Sequence, residues 1–196
     1  MSVYRKSYFH ISRIARIRKY RPRSSAAQLV HALVTSTLDY GNSLLVKLSA
    51  KRLLKLQRVH NFAARVVYGV RDVESIIAVL NSLHWLPIES RIVFKIAMLT
   101  YHCLNGSGPI YPSSLLCRRR SPYAPRPTEA FDLFVPRTRL KTFSDRAFAS
   151  SAPRIWCSLP LSVKSCDSLS SFRSSLKAYL FKMPFITAES DVFTCI

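Results

Sequence analysis

AKRLLKLQRVHNFAARVVY, residues 50–68, is the clearest amphipathic stretch of the chain. At about 100° per residue, Leu53, Leu56, Val59, Ala63, Val66 and Val67 fall on one side of a helix. Lys51, Lys55, Arg58 and Arg65 fall on a narrow opposite stripe, with Phe62 in its middle. Gly69 is well placed to stop the helix, because a residue without Cβ accepts the left-handed conformation that such ends require. A helix apolar on one side is stable only when other elements cover that side, and the segments around it carry similar patterns.

Upstream, residues 6–20 are apolar at Tyr8, Ile11, Ile14 and Ala15, while Arg13, Arg16, Arg18 and Lys19 occupy much of the remaining surface. Pro22 ends that helix, and Ser24 or Ser25 can cap a second one that buries Leu29, Val30, Leu33, Val34 and Leu38. Asp39-Tyr40-Gly41-Asn42 then bends the chain. Downstream, a short helix is expected over 73–83. After Trp85-Leu86-Pro87 comes a longer one with Ile88, Ile92, Ile96 and Leu99 inside, closed by Gly106-Ser107-Gly108-Pro109. Residues 118–130 read as a linker: Arg118-Arg119-Arg120, then Pro122, Pro125 and Pro127 among polar residues.

Residues 131–142 alternate, with Leu133 and Val135 in one half and Arg137, Arg139 and Lys141 in the other, which predicts a short strand or hairpin with one cationic face. Ser144 and Asp145 open a further helix, kinked or restarted at Pro153, with Trp156 and Leu159 on its apolar side. A last helix from Asp167 or Ser168 buries Leu169, Phe172, Leu176 and Leu180. The expected fold is mainly α: a three-helix N-terminal bundle over 1–70, a helical extension over 71–117, the linker, and a C-terminal hairpin plus helices over 131–183. A tail over 184–196 has no strong pattern.

The 196 residues suffice for one ordinary domain or two small ones, and 48% hydrophobic content argues against wholesale disorder. Against 10 Asp+Glu stand 30 Lys+Arg, a formal net charge of +20 that favours a polyanionic partner. Nucleic acid is the leading candidate and an anionic membrane surface the rival. Residues 24–38 are too short and polar to span a bilayer, and 96–117 are broken by Gly106, Gly108, Pro109 and Pro112. No secretory signal is visible; an Arg-rich, acid-free start has the look of a mitochondrial transit peptide, but the same residues fit a helix of the domain, which is the reading preferred. Cys103, Cys117, Cys157, Cys166 and Cys195 are odd in number and irregular in spacing, so neither a disulfide framework nor structural zinc is expected, and a reducing compartment is.

Phosphates along a nucleic-acid backbone require repeated cations, and an exposed aromatic among them can stack on a base. The stripe Lys51, Lys55, Arg58 and Arg65 with Phe62 fits, together with Arg13, Arg16 and Lys19 before it and Arg137, Arg139 and Lys141 after it. Taken alone, each has a plainer reading: a solvated helix face, an edge-of-core Phe62, an edge strand protected by charge. For the stripe over 51–65, binding is favoured because the segments before and after it are basic too, with almost no acid to neutralise them; for Arg137, Arg139 and Lys141 both readings stay open. Arg118-Arg119-Arg120 is a localisation patch or a solvated linker. No catalytic residue, metal ligand or cofactor site is assigned. Asp72 and Glu74 are helix-start residues, and His84, His102 and Cys103 lack partners for zinc or for a Cys–His nucleophile. No Gly-rich phosphate loop appears and no small-molecule substrate is expected.

Several stretches have a familiar order. Leu38-Asp39-Tyr40-Gly41-Asn42-Ser43-Leu44-Leu45 and Leu56-Gln57-Arg58-Val59-His60-Asn61-Phe62-Ala63-Ala64-Arg65 come first, then Leu83-His84-Trp85-Leu86-Pro87-Ile88. They are followed by Val135-Pro136-Arg137-Thr138-Arg139-Leu140-Lys141-Thr142. Asp145-Arg146-Ala147-Phe148 leads to Ala152-Pro153-Arg154-Ile155-Trp156-Cys157-Ser158-Leu159-Pro160, and Ser171-Phe172-Arg173 through Lys177-Ala178-Tyr179-Leu180-Phe181 closes the series. In this order, from about residue 8 to 182, they resemble the segment after the palm in LINE-type, jockey-like non-LTR retrotransposon reverse transcriptases.

The resemblance implies a thumb-like helical bundle that grips RNA or an RNA/DNA template–primer duplex, followed by a C-terminal nucleic-acid-binding region. It also implies that the palm, with its paired catalytic aspartates, lies before Met1, so that the chain is not an enzyme and the palm is a possible partner. The cysteine-bearing motif of some relatives is not evident. Localisation would be the nucleus or a cytoplasmic ribonucleoprotein. The alternatives are a helical protein-interaction module, or a remnant of a retroelement reading frame without function.

Overall fold

Helix α1 (Val3–Ile17) ends in a single 3-10 turn, Arg18–Tyr20, and Pro22 then starts α2 (Arg23–Val30). The computed structural model describes residues 3–69, 75–119, 131–137 and 144–183. Pro22 itself occupies the N-cap, its carbonyl accepting from Ala26 N at 3.1 Å, in place of Ser24 or Ser25. A π-helical segment, His31–Thr35, carries α2 without a break into α3 (Ser36–Asp39). Gly41 then turns in the left-handed region at φ +62°, and α4 (Ala50–Tyr68) follows, closed by Gly69 at φ +83°. The remaining helices are α5 (Ile76–Leu83), α6 (Ile88–Leu104), α7 (Ile110–Ser114), α8 (Phe148–Ser158), α9 (Leu161–Lys164) and α10 (Leu169–Lys182). The chain is mainly helical.

Two apolar clusters hold these helices together. The first joins α1, α2, the π segment, α3, α4, α5 and the first half of α6, with Ile11, Val30, Val34, Val59, Val67 and Ile96 fully buried. The second joins the later part of α6 to α8, α9 and α10 around Phe172, whose ring stacks on Tyr101 at 4.2 Å and on Trp156 at 5.8 Å. Helix α6 therefore serves both clusters. α1 lies against α4 in the same sense, Tyr8 meeting Phe62 and Arg18 meeting Val67.

Polar ties fix the ends of these helices. Gln57 Oε1, on α4, accepts from Ile88 N at 2.8 Å and so satisfies one of the free N–H groups that open α6. Asp39, ending α3, accepts two bonds from the Arg91 guanidinium on the first turn of α6. Arg18 Nε donates to Val67 O at 3.1 Å, placing a cation on the carbonyl end of α4. His84, at φ +55°, closes α5: His84 N donates to Asn81 O and Trp85 N to Leu80 O, which turns Trp85 into the core. Further along, Asp145 bonds Lys47 at 2.8 Å and Arg154 at 3.0 Å, and Lys164 bonds Asp132 at 2.9 Å.

Some expectations need correction. On α1 the buried positions are Ser7, Ile11 and Ile14, while Tyr8 and Ala15 face outward. The small Ser7 is fully buried, and the Tyr8 ring stands at the rim, where it meets Phe62 of α4. Leu33 and Leu169 are exposed. Pro153 neither breaks nor restarts α8, which runs through it. The hairpin expected over 131–142 is not found among the described residues. Residues 131–137 make one isolated antiparallel bridge, Leu133 with Arg118. Arg119 N donates to Asp132 O and Phe134 N to Cys117 O. Leu133 is drawn into the second cluster, and Pro136 has no N–H to continue a ladder. Residues 138–142 lie outside the described residues.

The turn after α6 is tightly packed. A Cβ on Gly108 would stand 2.8 Å from the Cys103 backbone, a clash that only a shift of α6 could relieve. Gly108→Ala is expected to lower unfolding stability by about 1–3 kcal/mol. A urea midpoint equal to that of the wild type would show that the turn is not packed as described.

Candidate nucleic-acid interface

α4 divides sharply between its two sides. Inward stand Leu56, Val59, His60, Ala63, Ala64 and Val67; outward stand Lys51, Lys55 and Arg58, all exposed, and Phe62, which is 39% exposed. Steps of three and four residues put Lys51, Lys55, Arg58, Phe62 and Arg65 in one row. Arg65 is half-buried at the end of that row and engages neighbouring groups.

α1 lays a second row beside the first. Its ring of Tyr8 lies 5.8 Å from that of Phe62. Around the outer side of α1 from Tyr8 come Arg5, Arg16, Phe9 and Arg13, all exposed, and the Arg13 guanidinium sits over the Phe9 ring at 4.8 Å. Lys19 is exposed over the Tyr20 ring, at the far end of the same segment. The structure thus brings Arg13, Arg16, Lys55, Arg58 and Phe62 onto adjoining helix faces, with Lys51 and Lys19 towards the ends. Arg18 and Arg23 belong to the frame, Arg18 on the end of α4 and Arg23 over the Tyr68 ring at 3.9 Å. Tyr8 and Phe9 join this surface although the sequence pattern does not single them out as site residues. Their position three and four residues after Arg5 is the available signal, but hydrophobicity assigns Tyr8 to the core.

Arg137 is exposed and well separated in sequence from this surface; Arg139 and Lys141 lie outside the described residues, as do Asp72 and Glu74. Before residue 70 the sequence holds a single acidic residue, Asp39, and that carboxylate is held by Arg91. Arg13, Arg16, Lys51, Lys55 and Arg58 have no carboxylate partner among the described residues. Among those residues, too, no group of three or more His, Cys, Asp or Glu could hold a metal, and no helix is long and apolar enough to cross a membrane.

Behind the interface, His60 is almost fully buried against Trp85 at 5.5 Å, with no hydrogen-bond partner at either ring nitrogen. Burial, reinforced by Arg91 and His31, pushes its pKa down to about 3. His31, whose ring lies 4.9 Å from that of Trp85, is lowered as well, by burial and then Arg91, against a raising effect of Asp39.

Comparison of the chain with family models, with curated proteins and with solved structures finds no match. The functional reading therefore rests on the residues and their geometry.

His60 is neutral in the fold, whereas in the unfolded chain it takes a proton below about pH 6.5. Its contribution to stability is complete above that pH and is lost as pH falls towards 3, by up to about 1.4 kcal/mol per pH unit. Urea denaturation from pH 7 to pH 4 is expected to give steeply falling midpoints for the wild type and a shallower fall for His60→Phe. Parallel curves for the two proteins would mean that His60 is not buried in this way.

Proposed function

We propose that this chain is a non-catalytic, nucleic-acid-gripping helical module of the kind that follows the palm in LINE-type reverse transcriptases. It binds RNA, free or within a template–primer duplex, in the nucleus or a cytoplasmic ribonucleoprotein. The observation that carries the reading is the outer surface of α1 and α4, where Arg13, Arg16, Lys51, Lys55 and Arg58 stand exposed without a carboxylate partner among the described residues. Like charges gathered this closely repel one another, and a phosphate backbone relieves that repulsion while releasing its own counterions. The order of motifs that resembles those polymerases supports the same reading; its stretches contain Gln57 and Asp39, whose ties set α4 and α3 against α6 in this chain.

A second reading has one observation in its favour. Tyr40 and Leu44 flank the Gly41 turn and are 91% and 76% exposed, an apolar pair suited to docking on a protein such as a polymerase palm.

RNA binding measured by fluorescence anisotropy over a range of salt decides between the two. Log affinity is expected to fall linearly with log salt. In the Lys55→Glu/Arg58→Glu variant the slope should become shallower by about 0.7–0.9 for each phosphate that the chain no longer neutralises. Binding that is absent or indifferent to salt removes the nucleic-acid reading and leaves the docking one.

A further inference from the structure

Cations alone account for attachment to phosphates, but they leave the rings on the same surface without a task. Tyr8, Phe9 and Phe62 are 41%, 50% and 39% exposed, and they do not lie scattered. Tyr8 and Phe62 meet across the line where α1 passes α4, and Phe9 is Tyr8's neighbour on the outer side of α1. Arg5 precedes both α1 rings by three and four residues. Arg13 covers one side of Phe9, and Lys55 and Arg58 precede Phe62 by seven and four residues on its own row. Single apolar residues on a surface need no explanation; rings set among cations such as Arg16, Lys55 and Arg58, which have no carboxylate partner among the described residues, do.

A base pair within a duplex offers such rings no free face, because its neighbours already stack on it. An unpaired strand offers both phosphates and base faces, and each base has a π-face, so the stacking tolerates any sequence. We propose that the seam between α1 and α4 holds an unpaired nucleic-acid strand, with bases stacking on Phe9 and on the Tyr8–Phe62 pair and phosphates on Arg5, Arg16, Lys55 and Arg58. The inference rests on the nucleic-acid reading above and narrows it from RNA, free or within a template–primer duplex, to unpaired strands. RNA and DNA present the same rings and phosphates to this seam.

The test uses the full chain at physiological salt, where phosphate contacts are partly screened. Labelled oligouridylate, oligodeoxythymidylate and a blunt hairpin duplex of similar charge are titrated by anisotropy. Vesicles of phosphatidylcholine with phosphatidylserine are tested by co-sedimentation. Phe9→Ala is the first variant, since its ring neighbours lie on its own helix, Arg13 and His10, and its removal opens no core. Phe62→Ala is the second, with thermal melting to verify the fold, and Phe9→Trp is the conservative control.

Both single strands are expected to bind more tightly than the duplex. Each alanine variant should bind single strands about tenfold more weakly and the duplex nearly as before, and Phe9→Trp should keep the wild-type affinity. The uridylate and thymidylate arms show whether the 2′-hydroxyl adds to the binding. A duplex that binds as tightly as the single strands, or a Phe9→Ala variant that binds like the wild type, overturns the single-strand proposal and leaves general nucleic-acid binding standing. Vesicle binding without binding to any nucleic acid overturns both.

Discussion

The two bonds between Asp39 and Arg91 join the end of α3 to the first turn of α6, and α6 is the one helix that both apolar clusters share through several buried residues. If α6 rotated or slid, Ile88, Ile92 and Ile96 would leave the first cluster while Ala97 and Tyr101 left the second. The hydrophobic term is large but non-directional and cannot set that register alone. Gln57 on the Ile88 N–H and Asp39 on Arg91 supply the missing direction, from two different helices, within one turn of α6. The Trp85 ring, turned inward by the left-handed His84, is buried in the first cluster against the rings of His31 and His60.

A chain with 10 acidic residues has few carboxylates to spend on its surface. Those that make ion pairs among the described residues connect parts of the chain far apart in sequence: Asp39 to Arg91, Asp145 to Lys47, Asp132 to Lys164. Asp145 and Lys164 are buried, where an unpaired charge would be costly, so these pairs act as constraints on geometry more than as sources of stability. The consequence falls on α1 and α4. Arg13, Arg16, Lys51, Lys55 and Arg58 on their outer sides have no carboxylate partner among the described residues.

Much of this is legible in the residues. The face of α4 follows from its 3.6-residue period, because Leu56, Val59, Ala63 and Val67 are apolar and large or close-packed, and the caps at Gly69 and Ser168 have local chemistry that sequence displays directly. α1 is harder. Hydrophobicity favours Tyr8 over Ser7 as a core residue, but the buried positions are Ser7, Ile11 and Ile14, a face set by packing between helices, and the ring stands at the rim, where it meets Phe62. His60 is illegible for a similar reason: its burial depends on Trp85 arriving from a turn more than twenty residues away. Residues 131–137 mislead because their alternation is that of a strand. Whether a strand becomes a hairpin depends on a partner, and here Cys117 to Arg119 takes that place.

One stretch, residues 56–65, carries both the frame and the interface. Gln57 and His60 point towards α6 and Trp85, while Arg58 and Phe62 point away, so the two roles use opposite sides of α4. This separation has an electrostatic advantage. The Asp39–Arg91 pair lies on the α6 side, behind the apolar face of α4, and the strand of phosphates proposed for the outer side would neutralise cations that no carboxylate of the described chain holds. Binding a polyanion to Lys51, Lys55 and Arg58 breaks none of the ion pairs Asp39–Arg91, Asp145–Lys47, Asp145–Arg154 and Asp132–Lys164. It removes repulsion among Lys51, Lys55 and Arg58 that the folded chain otherwise carries, so occupancy of the surface and stability of the bundle rise together.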